Sequence, residues 1–256
     1  MEMLNAHVNR IDLAYTRRGQ GPALVLLHGH PLDRSIWDAL APRLEPCFDL
    51  IIPDLRGFGR SSAPDGPYSL ADMAGDVAAL LDQLGIPHAA LAGHSMGGYI
   101  ALAFCQIFPQ RVRSLALVAS QVAADPPDRR PARYEAAAMV EQHGMQIIAD
   151  TFPEKLTARA ELQPRLQEII LRQPPRGAAQ ALRAMAERQD STGLLPGMEF
   201  PVFFVHGTAD ALIPVQRARE ASALVKHGRL IELDAAGHMP MLELPEETAA
   251  ALRQLE

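Results

Sequence analysis

One twelve-residue stretch constrains this chain more than any other: Ala90-Leu91-Ala92-Gly93-His94-Ser95-Met96-Gly97-Gly98-Tyr99-Ile100-Ala101. A short apolar run, which suits a buried strand, meets a segment with helical character. Between them lies Gly-x-Ser-x-Gly. A strand that stops, turns sharply and starts a helix lifts the apical side chain above the end of a sheet. The apical residue, Ser95, then needs a positive φ, a conformation that costs about 1–3 kcal/mol and persists where function needs it. Gly93 and Gly97 lack Cβ atoms, so strand and helix can approach closely there. The turn predicts an exposed serine oxygen at the positive end of a helix.

The rest of the chain supplies the sheet that such a turn requires. His7 to Arg17 alternates and contains turn residues, which predicts a strand pair at a sheet edge. Ala23–Leu27, Leu50–Pro53, Ala89–Ala92, Leu115–Val118, Val202–Val205 and Leu230–Leu233 are short runs that fit buried or partly buried strands. Helical stretches fall near Ile36 to Leu44 and from Ser95 to Phe108. Between them, Met73, Val77, Leu80, Leu81 and Leu84 keep helical spacing and end at Gly85, a C-terminal stop signal. Strands alternating with helices predict an α/β fold with a mostly parallel sheet, covered by helices on both faces. The rhythm breaks from Gln121 to Leu195. Prolines (Pro126, Pro127, Pro131, Pro174, Pro175) joint helical segments there, and no strong strand is visible. The expected organisation is a core of residues 1–120 and 196–256 with a helical cap over 121–195.

Length and composition narrow the function. A chain of 256 residues can bury a full α/β core without a disulfide or metal staple. A net charge of −6 argues against a nucleic-acid footprint. The two cysteines, Cys47 and Cys105, lie in apolar surroundings and suit buried free thiols. No apolar run reaches membrane-spanning length, and the N-terminus has no basic region followed by an apolar stretch. The expectation is a cytoplasmic enzyme, monomeric or homodimeric, with a small-molecule substrate and neither nucleic acid nor membrane as partner.

A serine is a weak nucleophile until a base, itself oriented by an acid, takes its proton. His206-Gly207-Thr208-Ala209-Asp210 places an acid just past one late strand, and Asp234-Ala235-Ala236-Gly237-His238 places a histidine just past the next. Parallel strands share their carboxyl ends, so Ser95, Asp210 and His238 should meet at one sheet edge. The oxyanion of an acyl transfer needs two N–H donors. The amide after the nucleophile, Met96, is one; the loop Leu27-His28-Gly29-His30-Pro31-Leu32 offers the other at His30, whose backbone Pro31 restricts.

These pieces resemble the α/β-hydrolase superfamily, and within it the small capped serine esterase and lactonase group. The resemblance rests on His28-Gly29-His30-Pro31, Asp54-Leu55-Arg56-Gly57-Phe58-Gly59-Arg60-Ser61, Gly93-His94-Ser95-Met96-Gly97-Gly98, His206-Gly207-Thr208-Ala209-Asp210 and Gly237-His238, in the family order. It implies hydrolysis of small to medium carboxylic esters or lactones through an acyl-enzyme on Ser95, without a cofactor. It also implies that Asp54 to Ser61 is a structural turn. Relatives that hydrolyse haloalkanes or epoxides use an aspartate nucleophile, which Ser95 cannot replace. Carbon–carbon bond hydrolysis of ring-fission diketones, perhydrolysis and a ligand receptor with an intact triad are the competing functions.

Other residues have competing readings. Asp125 is the rival acid, because related folds sometimes place the acid after that strand; Asp234 suits a solvated turn. His28 and His30 could form a metal pair, but no carboxylate or cysteine cluster completes a shell, and no metal is expected. His94 should point into structure and His206 should support the acid loop. His30, Trp37 and Met139 are candidate pocket walls. For Trp37 the alternative is the core; for Met139, as for Met145, Met185 and Met198, it is packing within the cap. The cap arginines suit solvated surface.

Overall fold

Five-residue apolar runs such as Ala-Leu-Val-Leu-Leu have no polar face, so they are stable only in a sheet covered on both sides. The computed structural model, which describes residues 2–64 and 66–256, shows that solution. Its strands are β1 (Leu4–Val8), β2 (Ile11–Arg18), β3 (Ala23–Leu27), β4 (Asp49–Pro53), β5 (Ala89–His94), β6 (Val112–Val118), β7 (Val202–Gly207) and β8 (Gly228–Leu233). They form one eight-stranded sheet in the order β1-β2-β4-β3-β5-β6-β7-β8. β1 pairs antiparallel with β2, and β2 with β4; every other pairing is parallel. The edge hairpin turns at Asn9 and Arg10, both with positive φ.

The helices of the core follow local signals. Short α1 (Ala41–Leu44) precedes α2 (Leu70–Gln83), which opens on a capping box between Ser69 and Asp72. α2 stops before Gly85, whose φ of 67° suits the residue just past a helix end. α3 (Met96–Ile107) follows β5 after a single residue. Asp76 on α2 is buried and takes a bidentate pair of 2.6 Å bonds from Arg56, which fixes the turn after β4 to that helix.

Between β6 and β7 the chain forms α4 (Arg129–His143), α5 (Gln146–Ala149), α6 (Pro153–Leu156), α7 (Gln163–Leu171) and α8 (Pro175–Ala186), with no strand. The segment is anchored at the junction of α7 and α8. Arg172 donates to Asp33 at 2.7 and 2.8 Å, and the Gln173 side chain bridges Asp33 and the amide of Gly59. Tyr68 donates its hydroxyl to the carbonyl of Gly177 at 3.0 Å. A Cβ on Gly177 would meet the carbonyl oxygen of Gly57 at 1.8 Å, so only glycine allows this backbone contact. Beyond β7 come α9 (Gln216–Ser222), α10 (Pro240–Glu243) and α11 (Pro245–Leu252). Among the described residues, no helix is long and apolar enough to cross a membrane.

Candidate active site

The parallel strands bring their carboxyl ends to one rim, and the loops that leave this rim carry the chemically able residues. At the end of β5, Ser95 has φ 50° and ψ −113°, so the turn is as sharp as the sequence requires. Its amide donates to the Val118 carbonyl at 3.0 Å, and its own carbonyl accepts from Ser120 Oγ at 2.8 Å. Both bonds come from the end of β6, which holds the turn from that side. A Cβ on Gly93 would meet the Gly97 oxygen at 2.3 Å, and one on Gly97 would meet the Leu27 oxygen at 2.3 Å. Met96 is the first residue of α3, so its N–H has no acceptor within the helix.

Asp210 follows β7 and is buried. One carboxylate oxygen accepts the amides of Leu212 and Ile213 at 2.9 and 3.0 Å. The other accepts from His238 Nδ1 at 2.8 Å and lies 3.3 Å from His206 Nε2. Burial pushes the carboxyl up. The bonds from His206 and His238 outweigh that and hold it well below the usual carboxylate range. His206 also bonds the Ile213 carbonyl through Nε2 at 2.7 Å, so it ties the acid loop to the strand end. With Nδ1–H engaged by Asp210, His238 keeps its Nε2 lone pair free to accept a proton.

The loop that carries His238 is clamped. Glu243, buried at the end of α10, accepts the amide of Gly237 at 2.6 Å and that of Met239 at 3.2 Å. The amide of His238 donates to the Leu156 carbonyl of α6 at 3.1 Å. The carbonyl of His238 accepts from His94 Nε2 at 2.9 Å. Burial lowers His94 to about 3, so its ring is neutral and packs against the His238 ring with centroids 4.9 Å apart. His28 is likewise neutral through burial. It accepts the Leu55 amide at 2.9 Å and donates to the Gly29 carbonyl at 3.0 Å, and so braces its loop. Among the described residues, no three histidine, cysteine or acidic side chains are grouped so as to hold a metal ion.

Ser95 and His238 open onto one cavity of about 390 Å³. Its walls are Tyr99, one turn beyond Ser95 on α3; His30 from the loop after β3; Leu212 and Ile213 beside Asp210; and residues of α4, α6 and α8. Another cavity, of about 370 Å³, shares Tyr99 as a wall but touches neither Ser95 nor His238. His30, on the wall of the first cavity, bonds the Ala178 carbonyl of α8 through Nε2 at 3.0 Å. Burial lowers its imidazole to about 3. The amide of His30 has no hydrogen-bond partner among the described residues.

Three sequence expectations need correction or resolution. Trp37 is fully buried and lies in the hydrophobic core, not on the cavity wall. Met139 is 45% exposed and does not line the cavity either. The inward face of α4 runs through Arg129, Ala132, Arg133 and Ala136 to buried Val140, and Met139 stands about 100° around the helix from Val140. Asp125, the rival acid, is engaged elsewhere: its buried carboxylate pairs with Arg133 and Arg188. The sequence reading missed Tyr99, Leu212, Ile213 and Glu243. Tyr99 was accessible from helical spacing, since residue i+4 after the turn faces the same side as Ser95.

This architecture has known counterparts. The family model for the alpha/beta hydrolase fold matches residues 22–245, and the chain belongs to that family. It is 31% identical over 251 residues to a pimeloyl-[acyl-carrier protein] methyl ester esterase of Xanthomonas axonopodis pv. citri, covering 92% of this chain and 95% of the relative. Among solved structures, it is similar to a thermophilic esterase from Thermogutta terrifontis with malate bound. That match has a TM-score of 0.95 and 33% identity, over 99% of this chain and 97% of the other. The enol-lactonase from Burkholderia xenovorans LB400 matches with a TM-score of 0.91 and 25% identity, over 98% and 99%.

Proposed function

We propose that this chain is a carboxylic ester hydrolase that works through an acyl-enzyme on Ser95, with lactones as a second substrate type. The observation that carries the reading is the 2.8 Å bond from His238 to Asp210, in a cavity that Ser95 and His238 share. The relatives named esterase and enol-lactonase support the same reaction class.

In this reading, Ser95 Oγ attacks the ester carbonyl as His238 Nε2 takes its proton. The carbonyl oxygen becomes an anion held by the amides of Met96 and His30; one such donor is worth about 2.7–4 kcal/mol in the transition state. The C–O bond to the alcohol breaks, and His238 returns the proton to the departing alkoxide. Asp210 keeps the imidazole in the required tautomer and stabilises its cation. Water, deprotonated by His238, then attacks the acyl-enzyme. The acid leaves and Ser95 recovers its proton. The helices of 121–195 act as a cap over the cavity and limit the acyl or alcohol group to small or medium size.

The test is hydrolysis of p-nitrophenyl esters of rising acyl length, alongside lactones, by the wild type and Ser95→Ala. Turnover abolished in the variant supports the reading. Near-full esterase activity in Ser95→Ala would reject it. Tight ligand binding with negligible turnover in the wild type would point instead to a receptor.

A further inference from the structure

The cavity wall carries an unbalanced charge. Arg129, Arg133 and Lys155 line it, and among the described residues no aspartate or glutamate does. Among the described residues, Arg129 and Lys155 have no carboxylate within 4.0 Å. A cavity meant for plain alkyl esters has no use for three cations, because each must be kept hydrated or paired.

Arg133 is the best placed of the three. Its Nε pairs with Asp125 Oδ2, and its Nη2 lies 3.3 Å from Oδ1. The same carboxylate takes Arg188 Nη1 at 2.7 Å. Asp125 and Arg188 are almost wholly buried, with side-chain exposures of 1% and 5%. Arg188 is further fixed by the Ala123 carbonyl at 2.8 Å and by the Tyr99 ring, 4.2 Å from its carbon to the centroid. One carboxylate thus serves two guanidinium groups, and one positive charge is left over. Among the described residues, the Nη1 of Arg133 meets only Met185 Sδ at 3.6 Å, a weak acceptor that also lines the cavity. A strong donor therefore faces the substrate space with no strong partner among the described residues. Its field reaches the nucleophile's neighbourhood: Arg133 is among the groups that keep the His30 ring unprotonated, after burial itself.

We propose that the cavity selects esters carrying a second, anionic group, a carboxylate, which Arg133 binds with Arg129 and Lys155 at its side. Asp125 and Arg188 are positioning residues that hold the Arg133 fork in place. The inference rests on Ser95 as the nucleophile and deepens that reading by naming the substrate class. The carboxylate can sit on the acyl side or on the alcohol side of the scissile bond.

Two substrate pairs test this by titrating released acid at pH 7.5. Monomethyl adipate against methyl hexanoate places the charge on the acyl side. 4-Acetoxybutyrate against butyl acetate places it on the alcohol side. An uncharged pocket favours the neutral member of each pair, since burying an unpaired carboxylate is unfavourable. The expected result is that the anionic member has at least tenfold higher kcat/KM in one pair, mainly through KM, and that 0.5 M NaCl narrows the gap. Arg133→Gln lowers that ratio about tenfold, whereas Arg133→Lys keeps part of it. The ratio is the readout, so a general loss of activity does not imitate the effect. Should Arg133→Gln fail to fold, adipate provides the check: it inhibits methyl hexanoate hydrolysis by the wild type competitively, and 1,6-hexanediol at equal concentration does not. Faster neutral esters in both pairs, or a ratio that survives Arg133→Gln, overturn the proposal. A hydrolase reading that fails shows differently, as Ser95→Ala active on every ester.

Discussion

Glu243 brackets His238 without touching its ring. Its two carboxylate oxygens accept the amides of Gly237 and Met239, the residues on either side, at 2.6 and 3.2 Å. The imidazole is therefore aimed from two directions: Asp210 holds Nδ1, and Glu243 holds the backbone on which the ring is mounted. A buried carboxylate that receives two amide donors is a strong fixture, because charged acceptors form the stronger hydrogen bonds.

Removing that fixture should harm turnover and stability together. Glu243→Ala leaves two buried amides unpaired, at about 1–3 kcal/mol each. A chain of this size should lose roughly 5–15 °C in Tm from such a deficit. We expect kcat to fall by at least tenfold on p-nitrophenyl butyrate with a smaller change in KM, and Glu243→Gln to recover part of both. Thermal melts and initial rates on the three proteins check this. Unchanged kcat in Glu243→Ala would refute the positioning role.

Variants of the proposed triad should rank by how much of the proton path each removes. Ser95→Ala and His238→Ala should each lower kcat by several orders of magnitude, and Asp210→Asn by about 10⁴-fold, since the amide fixes the wrong tautomer. Asp125→Asn should instead act through KM for charged esters, because its carboxylate faces guanidinium groups. Steady-state kinetics on the four variants separates the two aspartates.

Much of this site was legible in the chain because its parts are local. The turn at Ser95 needs glycines two residues either side, and the structure shows each in contact closer than a Cβ allows. The strands announce themselves as apolar runs, and α2 by Ser69, Asp72 and Gly85. The cavity walls were not legible, because they depend on packing between distant helices. Whether Trp37 belongs to core or pocket depends on where α4 to α8 settle, and nothing near residue 37 specifies that. Met139 failed for a finer reason: one helical position separates it from buried Val140. Asp125 could be separated from Asp210 only by its partners, and Arg188 lies 63 residues away in the chain (188 − 125).

Acid should destabilise the fold well before carboxylates protonate. His30 and His94 are lowered from 6.5 to about 3 by burial, and His28 is lowered by the same cause. Below pH 6.5 the unfolded chain takes up protons that the native state refuses, so stability is lost as pH falls from 6.5 towards 3. His30 and His94 each contribute roughly 1.4 kcal/mol per pH unit across that window. Asp210 acts in the same sense at lower pH: its contribution is present above the unfolded carboxyl range and is lost as pH falls below that range. Urea midpoints at pH 8.0, 6.5 and 5.5 should therefore fall steeply between the last two. Equal midpoints at pH 8.0 and 5.5 would mean that these imidazoles are not held neutral.

The same substitution should have opposite signs at two glycines. Gly97 sits where a Cβ would lie 2.3 Å from the Leu27 oxygen and 2.8 Å from the His28 oxygen, both backbone atoms of the strand and loop beneath. They cannot move without shifting the His30 loop, so Gly97→Ala should leave the protein insoluble or lower its Tm by more than 10 °C. Gly75 lies inside α2, and a Cβ there meets only Asn9 Nδ2, at an ordinary 3.8 Å. An alanine stiffens the unfolded chain and suits the helix, so Gly75→Ala should raise stability by roughly 0.5–1 kcal/mol. Esterase activity of Gly75→Ala should match the wild type, because α2 contributes nothing to the cavity that Ser95 and His238 share. Melting curves of both variants decide the point. A destabilised Gly75→Ala would show that α2 needs the freedom of glycine. A folded, fully active Gly97→Ala would show that the turn under Ser95 is looser than these contacts require.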